Sequence, residues 1–349
     1  MLNTDLEIGG TPTVVRELAV RMKRWEGVEV EVACLGKWGV MADRIRDAGV
    51  GVTALGAGGV WDLGVVRRLA GLIRERRIDT VFSFLVHANA AAAVSSWGNR
   101  GVRYVQAIQT TQRWPRWHWW VQGLVERAAE RIVVPSESVA KAAVEWAGIA
   151  RERIVVIPNA VEVGEFEGVG REYGDRGAFP VGFVGRLDRV KRVGDLLEAV
   201  GRLGGLVHLH VFGDGAERGA IEAKIGRLAI GRWVTMHGQV GRPQEALGRV
   251  GLLVLASEAE GFPMVLIEAM AAGVAIVGTD APGIRDVVSD GRTGVLVPVG
   301  DVVRLAEAMK KVVGDGQMRR GLVARAGVEV RGRYSWERVL GEYRVVLGI

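Results

Sequence analysis

Residues 252–270 read LLVLASEAEGFPMVLIEAM. The apolar run 252–256 predicts a buried strand, and Glu260 follows it in a short polar loop. Pro263 suits the first position of a helix, because its missing N–H would have no partner there, so we expect a helix over about residues 263–272. Its N-terminus, with free N–H groups and the positive end of the helix dipole, is a site for phosphate or sugar oxygens. Glu268 lies on the same helix, eight residues beyond Glu260.

Short β-branched runs alternate with amphipathic stretches almost throughout the chain. Strands are predicted at residues 28–35, 51–55, 80–84, 103–108, 131–134 and 154–157, and again at 181–184, 207–212, 234–237, 252–256, 274–278 and 294–297. This pattern predicts an α/β protein with two doubly wound, Rossmann-like domains. Because such sheets bind ligands at the carboxyl ends of their strands, a ligand shared by both domains is expected in a central cleft.

The length of 349 residues also suits two domains. We expect an N-terminal domain over residues 1–162, a Gly-rich and charged linker over 163–177, and a second domain over 178–333. Residues 334–349 form a terminal helix that is a candidate for packing back onto the first domain.

Composition narrows the class of protein. Charged residues make up 25% and no apolar run reaches the roughly 20 residues of a membrane span, which is typical of a soluble protein. The first ten residues lack the pattern of a secretory signal, and the single cysteine excludes an internal disulfide, so a cytoplasmic location is expected. The net charge of +6 favours anionic partners or reflects composition alone.

A second cluster of candidate residues follows the strand at 181–184. Arg186 leaves the strand end, and Lys191 lies five residues later. Two fixed cations there could balance a diphosphate without a metal ion and stabilise a leaving phosphate. An arginine and a lysine at this spacing are weak evidence alone, and their weight comes from Glu260 and Glu268.

Glycine loops offer further backbone donors. Gly9-Gly10 precede the first predicted helix, Gly213-Asp214-Gly215 follow a strand, and Gly283 follows Pro282. For Gly213 and Gly215, a tight turn and a ligand contact are equally consistent with the sequence.

Taken together, these motifs resemble glycosyltransferase family 4, of GT-B fold. The similarity is carried in the right order by Pro158-Asn159-Ala160-Val161, Gly185-Arg186-Leu187 with Lys191, the Glu260-to-Glu268 segment and Gly294-Val295-Leu296-Val297. Members are retaining, metal-independent transferases (EC 2.4) that use nucleotide-diphosphate sugars. The resemblance therefore implies a UDP- or GDP-linked hexose or N-acetylhexosamine donor, a sugar or lipid-linked acceptor, and a role in polysaccharide, glycolipid or glycoconjugate synthesis. No cofactor, metal or nucleic-acid partner is implied.

By position, the resemblance also assigns roles to residues. Glu268 would bind the ribose, Glu260 the donor sugar, and Arg186 with Lys191 the diphosphate. The remaining residues would shape the donor site or contribute backbone contacts: Gly10, Gly213, Gly261, Phe262, Pro263, Met264 and Val265.

Two departures from the family pattern stand out. The chain reaches Gly9 after only eight residues, so the first strand of the N-terminal sheet is expected to be missing. Gln109 also occupies the place where many members carry a histidine near the donor sugar, and a glutamine cannot act as a base at neutral pH. Some members instead have His-Ala-Asn after the third strand, which nominates His87 as a catalytic residue in the acceptor or donor pocket, with a helix-capping or core role equally open.

The segment 114–120 contains four tryptophans beside Arg113 and Arg116. We expect one or two of them to pack in the core, and the others are candidates for acceptor contact or for peripheral membrane contact on the inner face of the cell membrane.

Two other functions compete with the transferase. A sugar-nucleotide-binding pseudoenzyme, or a truncated inactive transferase, is suggested by Gln109 and the expected loss of the first strand. An NAD-dependent oxidoreductase is disfavoured, because the chain has no full GxGxxG opening.

Overall fold

The computed structural model of the protein describes residues 1–7, 9–36, 38–59, 62–170, 173 and 177–349. Chain contacts divide these residues into two units: Met1–Asn159 with Leu340–Ile349, and Ala160–Val339. Of the expected linker, residues 171, 172 and 174–176 lie outside the described residues. The start of that linker packs in the core of the second unit, because Val163 and Phe166 in the 3₁₀ turn Val163–Phe166 are buried there.

The first unit is built on a seven-stranded parallel sheet within the described part of the chain, in the order β3-β2-β1-β4-β5-β6-β7. Its strands are β1 (Leu2–Asn3), β2 (Glu31–Cys34), β3 (Gly51–Ala54), β4 (Thr80–Phe84), β5 (Arg103–Ala107), β6 (Arg131–Val134) and β7 (Ile154–Val156). Its helices are α1 (Gly10–Met22), α2 (Val40–Asp47), α3 (Leu63–Glu75), α4 (Val86–Ser96), α5 (Arg116–Val125) and α6 (Glu137–Ala147).

The expectation that the first strand is missing is wrong. β1 lies in the middle of the sheet and pairs in parallel with both β2 and β4. Two residues suffice to form this strand. Leu2 is fully buried in the core, and Asn3 pairs with Cys34 of β2. A run this short carries no periodicity, so the sequence pattern could not reveal it.

The second unit contains a six-stranded parallel sheet, in the order β10-β9-β8-β11-β12-β13. Its strands are β8 (Phe179–Val184), β9 (Val207–Phe212), β10 (Val234–Gly238), β11 (Leu252–Leu255), β12 (Ala275–Thr279) and β13 (Val295–Val297). Its helices are α7 (Val193–Leu203), α8 (Arg218–Arg227), α9 (Pro243–Leu247), α10 (Met264–Ala272), α11 (Ile284–Val287), α12 (Val302–Gly314) and α13 (Gly316–Arg333). The prediction of an α/β fold with two doubly wound sheets is confirmed.

Burial on both faces explains why the strands of the second unit are continuously apolar. All four residues of β11 and all five of β12 are buried. Helices cover each face of a parallel sheet, so both sides of every strand meet apolar side chains. At about 25 cal/mol per Å² of apolar area, this burial is the main stabilising contribution.

The last helix, α14 (Trp336–Leu347), contributes residues from Leu340 onward to the first unit. Tyr343 is buried there with its ring 6.0 Å from that of Phe82, and Arg103 donates to the carbonyl of Leu347 at 2.9 Å. Within the described residues, no helix has the length and apolarity that crossing a membrane requires.

Candidate functional site

The strand order of the second unit reverses between β8 and β11. These strands pair directly, with Leu252 beside Val181 and Leu253 beside Gly182. The loops that leave their carboxyl ends are therefore neighbours, and the N–H of Glu258 donates to the carbonyl of Val190 at 2.8 Å. Such a switch point is where doubly wound sheets bind ligands.

Two residues that the sequence nominated separately meet at this switch point. Lys191 Nζ donates to Glu260 Oε1 at 2.7 Å and to Oε2 at 2.8 Å. The exposed fractions of the two side chains are 19% and 11%, so the ion pair is largely shielded from solvent. Lys191 ends a 3₁₀ turn, Arg189–Lys191, that precedes α7.

Sequence reasoning missed the residues that hold Glu260 in place. The buried Ser257 donates its hydroxyl to Glu260 Oε1 at 2.7 Å. The hydroxyl of Thr279, at the end of β12, in turn donates to the carbonyl of Ser257 at 2.5 Å. A serine directly after a buried strand was the only signal in the sequence, and its partner could be known only from the strand order.

The backbone of Glu260 is also fixed by the loop after β12. Its N–H donates to the carbonyl of Pro282 at 3.0 Å. Gly283 has φ of +80°, and a Cβ at this position would lie 2.3 Å from the Glu260 carbonyl oxygen. Only glycine allows the backbone of residue 283 to lie this close to that of Glu260. This contact explains why a glycine follows Pro282.

Within the described part of the chain, Arg186 forms no hydrogen bond or ion pair with Lys191 or Glu260. Its side chain is 73% exposed and its Nε donates to Asp188 Oδ2 at 2.8 Å. The other oxygen, Asp188 Oδ1, is buried without a hydrogen-bond partner among the described residues. The guanidinium is thus an accessible cation on the loop that also leads to Lys191.

Gly213 and Gly215 pack against the same loop. Gly213 has φ of +139°, and a Cβ there would lie 1.9 Å from the carbonyl oxygen of Gly185. For Gly215 the corresponding distance, to the carbonyl oxygen of Leu187, is 2.3 Å. Two backbone hydrogen bonds join the loops. The N–H of Gly185 donates to the carbonyl of Phe212 at 3.0 Å, and the N–H of Leu187 donates to the carbonyl of Asp214 at 2.9 Å. The glycines are therefore required for close backbone approach.

α10 begins at Met264, one residue later than expected, because Pro263 has an extended ψ of 100°. No side chain caps this helix end. The N–H of Leu266 bonds to the carbonyl of Pro263. The N–H groups of Met264 and Val265 are the donors of the first turn that have no hydrogen-bond partner among the described residues. Phe262 is buried, and its ring lies edge-on to that of Tyr334 at 5.7 Å. Gly261 completes the turn between Glu260 and this helix.

Glu268 lies on α10, four residues or about one helical turn after Met264. Desolvation by burial raises the pKa of its carboxyl group from 4.5 to about 7. No hydrogen-bond or ion-pair partner of this carboxyl group occurs in the described part of the chain. A shielded acid of this kind is suited to a ligand that supplies hydroxyl donors.

Gly10 and His87 belong to the first unit. Gly10 is the first residue of α1. A Cβ added to it would meet no atom within 4 Å, so the space beside this glycine is open. His87 lies in the first turn of α4, after Leu85, whose φ of +71° is strained for a leucine. Desolvation lowers the pKa of His87, and its ring lies edge-on to those of Trp117 and His118, 5.8 and 5.5 Å away.

Comparison with protein families matches both units. The model for glycosyl transferases group 1 matches residues 176–327, and the model for Glycosyltransferase Family 4 matches residues 8–165. The first match contains all the site residues of the second unit, from Arg186 to Gly283.

Two curated relatives illustrate the similarity in sequence. The chain is 33% identical over 160 residues to N-acetyl-alpha-D-glucosaminyl L-malate synthase of Bacillus anthracis, covering 45% of this chain and 42% of that protein. It is 32% identical over 239 residues to the GDP-mannose-dependent alpha-mannosyltransferase of Mycobacterium tuberculosis, covering 66% and 60%. The matched regions thus span only about half the length of these relatives.

Among solved structures, Anabaena HepE in complex with UDP-glucose superimposes with a TM-score of 0.89. The match covers 99% of this chain and 98% of that one at 19% identity, so it shows a common fold.

Proposed function

Because the chain belongs to the group 1 and family 4 glycosyltransferases, we propose that it moves a sugar from a nucleotide-diphosphate donor to an acceptor hydroxyl with retention of anomeric configuration. The observation that carries the proposal is the Lys191–Glu260 ion pair beside the N-terminus of α10. Cation, carboxylate and free N–H groups at one switch point match the phosphates and hydroxyls of a sugar nucleotide.

When the donor binds, Lys191 and Glu260 would each give up the other as a partner and bind a group of the donor instead. The diphosphate would take Lys191 and the exposed Arg186, while Glu260, still held by Ser257, would accept hydrogen bonds from hydroxyls of the sugar. The N–H groups of Met264 and Val265 would bind phosphate oxygens at the positive end of α10. Glu268 would bind the ribose hydroxyls. UDP-glucose in the complex of Anabaena HepE, and the GDP-mannose in the name of the mycobacterial relative, support a UDP- or GDP-linked donor.

Charge stabilisation by the protein suits a metal-independent reaction. As the bond from the anomeric carbon to the phosphate oxygen breaks, negative charge develops on the leaving diphosphate, and Lys191 with Arg186 would stabilise it. The proton of the acceptor hydroxyl would pass to a phosphate oxygen on the same face of the sugar. This route needs no protein base and is compatible with Gln109 at the position where many relatives have histidine.

The first unit would bind the acceptor, a sugar or a lipid-linked sugar, with His87 among the contacts. We propose that the protein transfers a hexose or an N-acetylhexosamine in polysaccharide or glycolipid synthesis, at the inner face of the cell membrane. A donor-binding protein without transfer is the alternative that Gln109 favours.

A thermal-shift screen across UDP- and GDP-sugars, followed by assay of donor turnover, tests the proposal. A true donor stabilises by about 2.7 kcal/mol at a hundredfold excess over its dissociation constant. Stabilisation with turnover supports the transferase, and stabilisation without turnover in the presence of lipid and sugar acceptors supports the alternative. No stabilisation by any sugar nucleotide contradicts both.

A further inference from the structure

Helix α5 exposes an apolar stripe in addition to the face that packs in the core. Trp117, Trp120 and Leu124 follow each other at spacings of three and four residues and are 47%, 68% and 54% exposed. Trp114, just before the helix, is 70% exposed. Large apolar side chains that cluster on a surface in this way mark an interaction site more often than single exposed residues do.

Core packing explains only one tryptophan of this segment. Trp119 is 4% exposed, its ring lies 5.2 Å from that of Trp146, and its indole N–H donates to the carbonyl of Gln112 at 2.9 Å. Gln122 is also buried and bonds to Asn89. The core-facing side of α5 is therefore already occupied, and core packing does not account for the three exposed tryptophans.

The charged residues of the segment that carries the stripe all have one sign. Arg113 and Arg116 are exposed, and Arg116 lies over the ring of Trp114 at 5.9 Å. Residues 113–125 contain no acidic residue. The next acid, Glu126, is buried and ion-paired with Arg153.

A groove of about 600 Å³ runs beside the stripe. Trp117, Trp120, Leu124 and Trp146 line it, and Arg116 also borders it. On the neighbouring helix α6, Glu145 is exposed near this groove, with Lys141 Nζ 3.8 Å from its carboxylate. Indole combines an apolar body with a polar N–H and so prefers the level of lipid headgroups, where arginine meets phosphate.

We propose that Trp114, Trp117, Trp120 and Leu124, with Arg113 and Arg116, form a membrane-docking surface for an anionic lipid bilayer. The tryptophans and Leu124 enter the headgroup region, and the arginines bind lipid phosphates. The proposed partner of the first unit is thus a membrane. The proposal rests on the proposed function in one respect only, that the protein would meet a lipid-linked acceptor at this surface.

Co-sedimentation of the full chain with vesicles tests the proposal. The vesicles contain phosphatidylcholine alone or mixed with phosphatidylglycerol. We expect binding to the anionic vesicles only. R113Q/R116Q should bind about thirtyfold more weakly, since each arginine near the surface contributes about 1 kcal/mol, and W117S/W120S should show a similar loss. Trp97, which is 82% exposed at the end of α4, supplies the matched control W97S.

The proposal is overturned if W97S lowers binding as much as W117S/W120S does. It is also overturned if the protein ignores anionic vesicles, or if the surface instead joins two copies of the chain, which sedimentation velocity without lipid would show. Circular dichroism and melting temperature check that the variants fold. Stabilisation by sugar nucleotides, measured without lipid, reports the proposed function separately, so either can fail alone.

Discussion

Lys191 and Glu260 lie 69 residues apart in the chain, yet Nζ of the lysine donates to both carboxylate oxygens, at 2.7 and 2.8 Å. The relationship exists because β8 and β11 are neighbours in the sheet. With the side chains only 19% and 11% exposed, the two opposite charges compensate each other where little solvent reaches them.

Removal of the lysine charge tests the central role of this pair. We expect Lys191→Ala to lower kcat/KM for the donor by about 10²–10³, because one fixed charge on the leaving diphosphate is lost. Steady-state kinetics measure the effect. Lys310→Ala, an exposed lysine on α12, is the control and should behave as the parent protein. Parental kinetics in Lys191→Ala would contradict the assignment.

Ser257→Ala tests whether Glu260 must be held in position. The variant loses the hydroxyl that donates to Glu260 Oε1, and hydrogen bonds to charged groups contribute about 1.5–3 kcal/mol. We expect kcat to fall about tenfold or more, with nucleotide affinity little changed, because the serine would not touch the nucleotide. Thr279→Ser keeps the neighbouring hydroxyl and serves as the comparison. An unchanged kcat in Ser257→Ala would show that the bond is dispensable.

The raised pKa of Glu268, about 7, predicts a pH dependence of stability. The folded state keeps this proton to higher pH than the unfolded state, whose carboxyl titrates near 4.5. Stability from this group is therefore complete below pH 4.5 and is lost as pH rises through 7, by up to about 3 kcal/mol. Urea denaturation of Glu268→Gln, which cannot ionise, should show a smaller decrease between pH 5 and 8 than the parent.

Nucleotide affinity should also depend on the ionisation of Glu268, but it should increase as the pH rises, whereas the stability decreases. Ribose hydroxyls donate to a carboxylate, so UDP or GDP should bind more tightly as pH rises from about 6 to 8. Calorimetry at several pH values measures this, and Glu268→Gln should bind weakly without the trend. The same trend in the variant would assign it to another group.

Gly213→Ala tests the close approach of the two loops. A Cβ would lie 1.9 Å from the Gly185 carbonyl oxygen, at φ of +139°, so we expect a loss of at least about 2 kcal/mol in the free energy of unfolding. Gly219→Ala in α8 is the matched control, because its Cβ would meet nothing within 4 Å. That control should be neutral or stabilising by about 0.5–1 kcal/mol. Equal stability of the two variants would refute the packing argument.

A histidine pair on β9 and β10 predicts acid sensitivity. His210 Nδ1 lies 3.0 Å from His237 Nε2, and desolvation, then the nearby His208, His237 and Arg249, lower the pKa of His210 to about 4. Since the unfolded pKa is near 6.5, the stabilisation is full above that pH and is lost as pH falls toward 4. His210→Phe, compared with the parent in urea at pH 5 and pH 8, should lose less stability on acidification. An equal loss would place the effect elsewhere.

The sequence alone determined the α/β class, almost every strand and the identity of Lys191, Glu260 and Glu268 as candidates, because periodicity and the strand-end positions of polar residues are local signals. It failed at β1, where two residues suffice for a central strand but give no pattern. It also left Gly213 undecided, and the carbonyl of Gly185 that excludes a side chain there comes from another loop.

Only the tertiary structure decided which residues meet. The pairing of β8 with β11 joins Lys191 to Glu260, and that of β11 with β12 places the Thr279 hydroxyl on the carbonyl of Ser257. Burial of Glu268, which raises its pKa, likewise depends on surrounding elements. Strand order and desolvation are properties of contacts between distant segments, and no local pattern in the chain encodes them.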